Sequence, residues 1–217
     1  MPSAVVGLAL LGHLAAGETS LVRLSEEAGV GRAILSALLA EMDSKGLLEF
    51  DGELIRATSL TKPLFAAYLH NAGVSLEELG TKLTWKEFED LAADALNACG
   101  FVTTKTFRMR KPTREIDVIG VHSGFALAFD CKHWGRVSRS ALARASERQV
   151  ERCRQYLSTL TARSMGVRAV MPALLVLHGP DFGRLGGVAI VGVDKVFSFV
   201  MAARGLTEEF TTVRSEE

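Results

Sequence analysis

The sequence has only three cysteines, Cys99, Cys131 and Cys153, and they lie far apart in its 217 residues. An odd number at this spacing fits neither a disulfide framework nor a zinc site. Long apolar runs are also missing, because the longest, such as 169–177, are too short to span a bilayer. The first residues lack the basic start of a signal peptide. These absences argue against a disulfide-stabilised or membrane-bound protein, and we expect a cytoplasmic one.

The formal net charge is zero, but the charge is unevenly distributed. Residues 1–80 carry five Lys or Arg and ten Asp or Glu, a net charge of −5. Residues 81–217 carry twenty basic and fifteen acidic residues, a net charge of +5, and within 105–154 the balance is twelve to five. We therefore expect a polyanion such as DNA to bind the second part of the chain and not the first.

The first eighty residues predict an α+β winged helix-turn-helix domain. Apolar periodicity typical of helices recurs at 4–15, 21–28 and 32–45, with a break at 17–19. Asp51-Gly52 separates two short apolar runs, which is a strong signal for a β-hairpin.

This domain has two interpretations. As a DNA-binding module it would place the third helix in the major groove, with Arg32, Lys45 and, in the wing, Arg56 as contacts. As a protein–protein module it would dimerise or dock a partner. The net charge of −5 favours the second interpretation, and Glu41 and Asp43 lie on the polar face of the third helix.

The most informative feature is the combination of Asp117 with Asp130 and Lys132. Each acid belongs to a short apolar run typical of a strand, and a turn at 122–124 joins the two runs as a hairpin. Because alternate side chains of a strand share a face, Asp130 and Lys132 project together, and Asp117 can lie beside Asp130. Two neighbouring carboxylates suit Mg²⁺, and a lysine beside them can orient an attacking water. The alternative is an ordinary hairpin with surface charges.

Two helices flank this hairpin in the sequence. Glu89 lies at the edge of the apolar stripe of a helix at 85–96, so it is the acid of this helix that we expect to lean towards the sheet. Gln149 lies on the apolar face of a helix predicted at 138–160, where a buried amide needs hydrogen-bond partners. Gln149 is therefore either a site residue or a structural glutamine.

A basic segment precedes Asp117 and a further arginine follows Lys132. Next to metal-binding acids such a segment predicts a clamp for phosphate groups, and the alternative is a solvated loop. The DNA-binding candidates of this region are Arg108, Arg110, Lys111, Arg114 and Arg136.

These motifs together resemble the PD-(D/E)xK nuclease superfamily, most nearly the Mrr-like restriction endonucleases and archaeal Holliday-junction resolvases. The resemblance covers about residues 82–200 and rests on four short motifs, which are given at the end of this paragraph. It implies a restriction-endonuclease-like α/β core, a mixed sheet flanked by helices, and DNA cleavage that depends on Mg²⁺ or Mn²⁺. The motifs are Glu89, Gly100-Phe101, Glu115-Ile116-Asp117-Val118 and Asp130-Cys131-Lys132.

The resemblance also implies roles for single residues. Asp117 and Asp130 would bind the metal, Lys132 would position the water, and Glu89 would be an accessory metal ligand or a neighbouring acid. Gln149 matches a glutamine that the family often carries near the catalytic lysine. The sequence departs from the pattern in having Ile116 where a proline is common before the first acid, and Asp130 where many members have Glu.

We therefore predict a winged-helix domain at 1–80, a nuclease domain at 81–205 and a frayed tail at 206–217. The resemblance favours a metal-dependent endonuclease that acts as a homodimer on duplex, branched or modified DNA. The alternative is a DNA-binding regulator or adaptor with a degenerate core. Within the second domain, Pro172 marks the strand predicted at 167–178 as an edge strand or a bulge.

Overall fold

The computed structural model describes residues 4–132, 138–179 and 183–215, which form an α/β protein. The chain divides into two compact units, an N-terminal unit of residues 4–87 and a C-terminal unit of 88–132 and 138–215. No helix of these described ranges is long and apolar enough to cross a membrane.

The N-terminal unit combines helices with a three-stranded antiparallel sheet. The break predicted at 17–19 does separate the first two helices, and Gly17–Ser20 forms there a strand, not predicted from the sequence, that pairs with 54–57. Its residues Gly-Glu-Thr-Ser lack the apolar alternation by which a strand is recognised in sequence. In order, the unit contains α1 (Ala4–His13), β1 (Gly17–Ser20), α2 (Leu21–Ala28), α3 (Arg32–Ser44), β2 (Glu49–Phe50), β3 (Leu54–Ala57), α4 (Thr61–Asn71) and α5 (Leu76–Gly80).

The C-terminal unit is built on a mixed seven-stranded sheet. The sheet order is β4-β5-β6-β7-β9-β8, and β10 pairs with β7. Strands β4, β5 and β6 are antiparallel neighbours, whereas β6, β7 and β9 run parallel. The elements are α6 (Trp85–Ala98), which starts before the division, β4 (Val102–Met109), β5 (Arg114–His122), β6 (Phe125–Lys132), α7 (Arg139–Leu157), α8 (Leu160–Ser164), β7 (Ala169–Val176), β8 (Arg184–Leu185), β9 (Val188–Gly192), α9 (Val196–Ala202) and β10 (Val213–Arg214).

Helices cover both faces of this sheet. On one face, Tyr156 of α7 packs with Ala128 of β6, and its ring meets Phe107 edge to face at 5.1 Å. On the other face, α6 approaches β5 so closely that a Cβ at Gly120 would lie 2.8 Å from Leu96 Cδ2. The prediction of a mixed sheet flanked by helices is therefore confirmed.

Two predictions for the C-terminal part are wrong. Strand β7 is internal, because β6 and β9 pair with it on opposite sides. Proline has no backbone N–H to donate to a neighbouring strand. Strand β10 pairs with Ala169 and Val170, and the pairing with β9 begins at Ala173. Pro172 is tolerated because it lies in the gap between these two partners. The segment predicted as a frayed tail contains β10, whose Val213 pairs with Val170.

Candidate active site

The β5–β6 hairpin brings the two predicted acids together. Val118 pairs with Phe129 at the end of the antiparallel ladder, so Asp117 and Asp130 are the next residues on the two strands. The Asp117 carboxylate accepts a hydrogen bond of 2.8 Å from the backbone N–H of Cys131. This bond fixes Asp117 against β6 at the end of the hairpin, next to Asp130, where the predicted hairpin places it.

Asp130 is almost completely buried and is held by two cations. Its exposed fraction is 1%. Lys132 Nζ lies 2.9 Å from each of the two carboxylate oxygens, and Arg152 Nη1 donates to Oδ1 at 2.8 Å. A buried carboxylate without such partners would be strongly destabilising. Burying the Asp130 carboxylate is therefore unfavourable by itself, and cations from β6 and α7 offset the loss of its hydration.

Helix α7 supplies the residues that position this acid. Gln149 is fully buried, and its amide donates to the carbonyl oxygen of Ala128 at 3.1 Å. The amide oxygen accepts from Arg152 Nη1 at 3.2 Å. Gln149 thus lies at the site as predicted, and it is also structurally satisfied. Arg152 was missed, although it lies one helical turn after Gln149 on the same face.

Burial and a neighbouring carboxylate raise the pKa values of Asp117 and Glu89. Burial, and after it the charge of Asp130, raises the pKa of Asp117 to about 6. Burial, and after it the charge of Asp117, raises the pKa of Glu89 to about 7. Among the described residues, no hydrogen bond or ion pair engages the Glu89 carboxylate, which is 6% exposed. Glu89 of α6 is therefore a buried acid without a cationic partner among the described residues, and the charge of Asp117 acts on it.

The donor set fits a hard divalent cation. Asp117 and Asp130 offer carboxylate oxygens on adjacent strands, and a cation would offset the repulsion that raises the pKa of Asp117. Over the ranges that the structure describes, no three His, Cys, Asp or Glu side chains converge closely enough to hold a metal by themselves. The two aspartates, with waters completing the shell, match the way in which Mg²⁺ is usually held.

A basic cleft of about 490 Å³, which we call the site cleft, adjoins Asp130 through Arg152. Arg108 and Arg114, two of the predicted DNA-binding residues, line it from β4 and β5. From α7 come Arg148 and Arg152, which the sequence reasoning did not select. Arg108 is paired with Glu115 at 2.7 Å. The sequence thus predicted the arginines that line the cleft from β4 and β5, but not those that line it from α7.

The remaining basic candidates of the C-terminal unit lie on a loop. Arg110 and Lys111 are exposed there. Gln155 of α7 ties the loop to the helix by donating to the carbonyl oxygen of Pro112 at 2.8 Å. Arg136 lies outside the described residues.

The candidate DNA contacts of the N-terminal unit lie near acids. Arg56 is 2.8 Å from Glu18, and Lys45 is 4.0 Å from Glu41 and lies over a tyrosine ring. Arg32 is exposed at the first position of α3. These three side chains belong to a different unit from the acids of the hairpin.

Comparisons with known proteins do not assign a family. No family model and no curated protein matches the chain. A solved structure, that of protein VC1899 from Vibrio cholerae, is similar to it with 15% sequence identity and a TM-score of 0.39. The match covers 94% of this chain and 51% of that chain, so this chain spans about half the length of VC1899. A similarity at this level carries no argument about activity.

Proposed function

We propose that the protein is a metal-dependent endodeoxyribonuclease that hydrolyses phosphodiester bonds. The observation that supports this proposal most strongly is the cluster at the end of the hairpin. Asp117 and Asp130 lie on adjacent strands, with Lys132 2.9 Å from Asp130. Glu89 is a third acid of this cluster, and its pKa is raised to about 7. An ion-pair network that only stabilised the fold would not need such an acid, whereas raised pKa values are common at functional sites.

Each residue then has a chemical role. Asp117 and Asp130 would hold Mg²⁺ or Mn²⁺, which lowers the pKa of a bound water and stabilises charge on the scissile phosphate. Lys132 would orient the attacking water towards phosphorus, while Glu89 would serve as an accessory acid beside Asp117. Gln149 positions the site by fixing Arg152 and the backbone of β6. One water would be added across the broken P–O bond, so that one product is a phosphomonoester and the other carries a free hydroxyl.

The site cleft supports a phosphodiester as the substrate. Arginine offers a planar fork of donors that matches a phosphate group. Four arginines line the cleft, against three glutamates. A nucleic-acid backbone that entered it would meet Arg152, which also donates to Asp130.

The proposal extends to the organisation of the chain. We infer a PD-(D/E)xK, restriction-endonuclease-like core for the C-terminal unit and a winged helix for the N-terminal unit. The order of three helices followed by the β2–β3 hairpin supports the second inference. A homodimer would allow both strands of a duplex to be cut, and the acidic N-terminal unit would dock a protein partner.

A cleavage assay tests this function directly. Supercoiled plasmid, a fork and a four-way junction are incubated with Mg²⁺ or Mn²⁺, with Asp130→Ala beside the wild-type protein. We expect metal-dependent cutting that the substitution abolishes, because it removes a metal ligand. DNA binding without cutting, unchanged in Asp130→Ala, contradicts the proposal.

A second candidate function is a DNA-binding regulator or adaptor with a degenerate core. The observation in its favour is that Lys132 and Arg152 already neutralise Asp130. In this case chelation of metal leaves every activity unchanged. Metal binding to the protein without DNA, measured by calorimetry on the wild type and on Asp117→Asn, separates the two functions: the nuclease binds Mn²⁺ through Asp117, and the regulator does not.

A further inference from the structure

A second arginine-lined surface lies at the other end of the sheet from Asp130. It consists of two adjoining clefts of about 440 and 660 Å³, which share Gly166, Arg168 and Arg214. Phe125 lines the first of them, and it is the first residue of β6, whereas Asp130 is near the last. Five residues of strand separate the two positions by about 17 Å. We call this surface the far cleft; its arginines are Arg154, Arg163, Arg168, Arg204 and Arg214.

Most of its positive charge is not neutralised by the protein. Arg214 is paired with Glu208 at 3.2 Å, in an exposed ion pair of low energy. By contrast, no hydrogen bond or ion pair to a described residue engages the side chains of Arg163, Arg168 or Arg204. All three are exposed to solvent. Cations brought together on one surface without counter-charges repel one another, and an anionic ligand would stabilise them.

Helix α7 connects the far cleft with the site cleft. Its residues Arg148 and Arg152 line the site cleft, and Arg154 and Ser158 line the far cleft. Glu151 also lines the site cleft and forms ion pairs with Arg114 of that cleft and with Arg154 of the far cleft. From Arg148 to Ser158 the helix rises by about 15 Å, a length that corresponds to roughly four phosphates of a DNA strand at 3.4 Å each.

We propose that the far cleft binds the phosphodiester backbone of the same duplex DNA that is cleaved at Asp117 and Asp130. This inference rests on the proposed function. The composition favours a nucleic acid, because all five cations are arginines and their forks match phosphate oxygens. The shape favours a long ligand, because the two clefts adjoin and open onto one surface. The far cleft therefore adds affinity and orientation at a distance from the reacting phosphate.

The double variant Arg163→Gln, Arg168→Gln tests this site. Its affinity for a fluorescein-labelled duplex of 20 base pairs is measured by anisotropy in EDTA at several salt concentrations. We expect a loss of about ten-fold or more at 0.1 M salt, and a salt slope reduced by about two, since two phosphate contacts are removed. Arg184→Gln is the matched control, because Arg184 is an exposed arginine of the same unit that lines neither cleft.

Either of two results overturns the proposal. One is wild-type affinity and salt slope in the double variant, with circular dichroism and thermal melting unchanged. The other is unchanged duplex binding together with lost binding of poly-glutamate, because the cleft would then serve an acidic protein. The affinity measurement in EDTA does not require catalysis. Metal-dependent cutting is tested separately with Asp130→Ala, and its absence would contradict the proposed function without changing the measured DNA affinities.

Discussion

The two units of this protein place their charges in opposite ways. In the N-terminal unit, acids outnumber bases, and the pair of Arg56 and Glu18 lies on the surface with both side chains about half exposed. In the C-terminal unit, bases outnumber acids, yet the Asp130 side chain is buried at 2% exposure between Lys132 and Arg152. Exposed pairs contribute at most about 1 kcal/mol, whereas a buried charge is costly to keep. A costly cluster beside basic clefts is typical of a functional site.

The largest expected effect compares one aspartate from each unit. Asp117 and Asp51 both accept hydrogen bonds from backbone N–H groups. Asp117→Asn should reduce metal-dependent DNA cleavage about a thousand-fold, because a metal ligand contributes several kcal/mol to the transition state. Asp51→Asn should leave the cleavage rate unchanged. Equal cleavage rates for the two variants would contradict the assignment of the metal site to the C-terminal unit.

A smaller effect concerns buried and exposed hydrogen bonds. Gln149→Ala leaves the Ala128 carbonyl without its partner inside the C-terminal unit, so we expect the free energy of unfolding to fall by about 2 kcal/mol. Tyr68→Phe removes a partly exposed bond to Glu41 in the N-terminal unit and should lower it by less than about 1 kcal/mol. Urea denaturation followed by circular dichroism measures both. A larger loss for Tyr68→Phe would contradict the assignment of the buried network.

Acids of the two units should also respond oppositely to pH. Because the pKa of Asp117 is raised to about 6 and that of Glu89 to about 7, these two side chains bind more protons in the folded state than in the unfolded chain from about pH 4 to 7. In chelator, these two acids therefore favour folding at low pH, and their contribution is lost as pH rises through this window. Hydrogen bonds from Leu54 and Glu53 lower the pKa of Asp51, so its contribution is lost as pH falls.

Thermal melting across this pH range checks the sign. The double variant Asp117→Asn, Glu89→Gln should lose the decline of melting temperature towards neutral pH, and Asp51→Asn should keep it. A steeper decline in the double variant would show that the raised pKa values do not describe the site.

The smallest effect is expected for DNA contacts of the N-terminal unit. Arg56 is engaged by Glu18, and Lys45 by Glu41 and a tyrosine ring, in a unit whose net charge disfavours DNA. The variant Lys45→Gln, Arg56→Gln should change the affinity for duplex DNA by less than about two-fold in the anisotropy assay. A loss greater than that of the far-cleft variant would make the N-terminal unit the principal DNA-binding region.

The sequence predicted the elements that depend on local pattern. The hairpin of β5 and β6 follows from two apolar runs around a short turn, and the pairing of Val118 with Phe129 places Asp117 next to Asp130. Gln149 was found because a polar residue interrupts a helical apolar stripe. These features are encoded within a few residues, so periodicity and turn chemistry suffice to find them.

What the sequence did not reveal depends on contacts between distant segments. The bond from Arg152 to Asp130 joins residues 22 positions apart, through the packing of α7 on β6. The far cleft brings together arginines from α7, α8 and β10, the residue just before β7, and the helical turn that follows α9. No local pattern marks such a set, although the spacing of Gln149 and Arg152 by one turn was a usable signal.

Strand β10 has a practical consequence for anyone who produces this protein. Val213 and Arg214 pair with the start of β7, and Ser215 donates from its backbone to the carbonyl oxygen of Arg168. An expression boundary placed at residue 206, at the end of the helical turn that follows α9, would leave Ala169 and Val170 of β7 without their β10 partners and favour aggregation through the unpaired backbone. It would also remove Arg214 from the far cleft. An affinity tag therefore belongs at the other terminus.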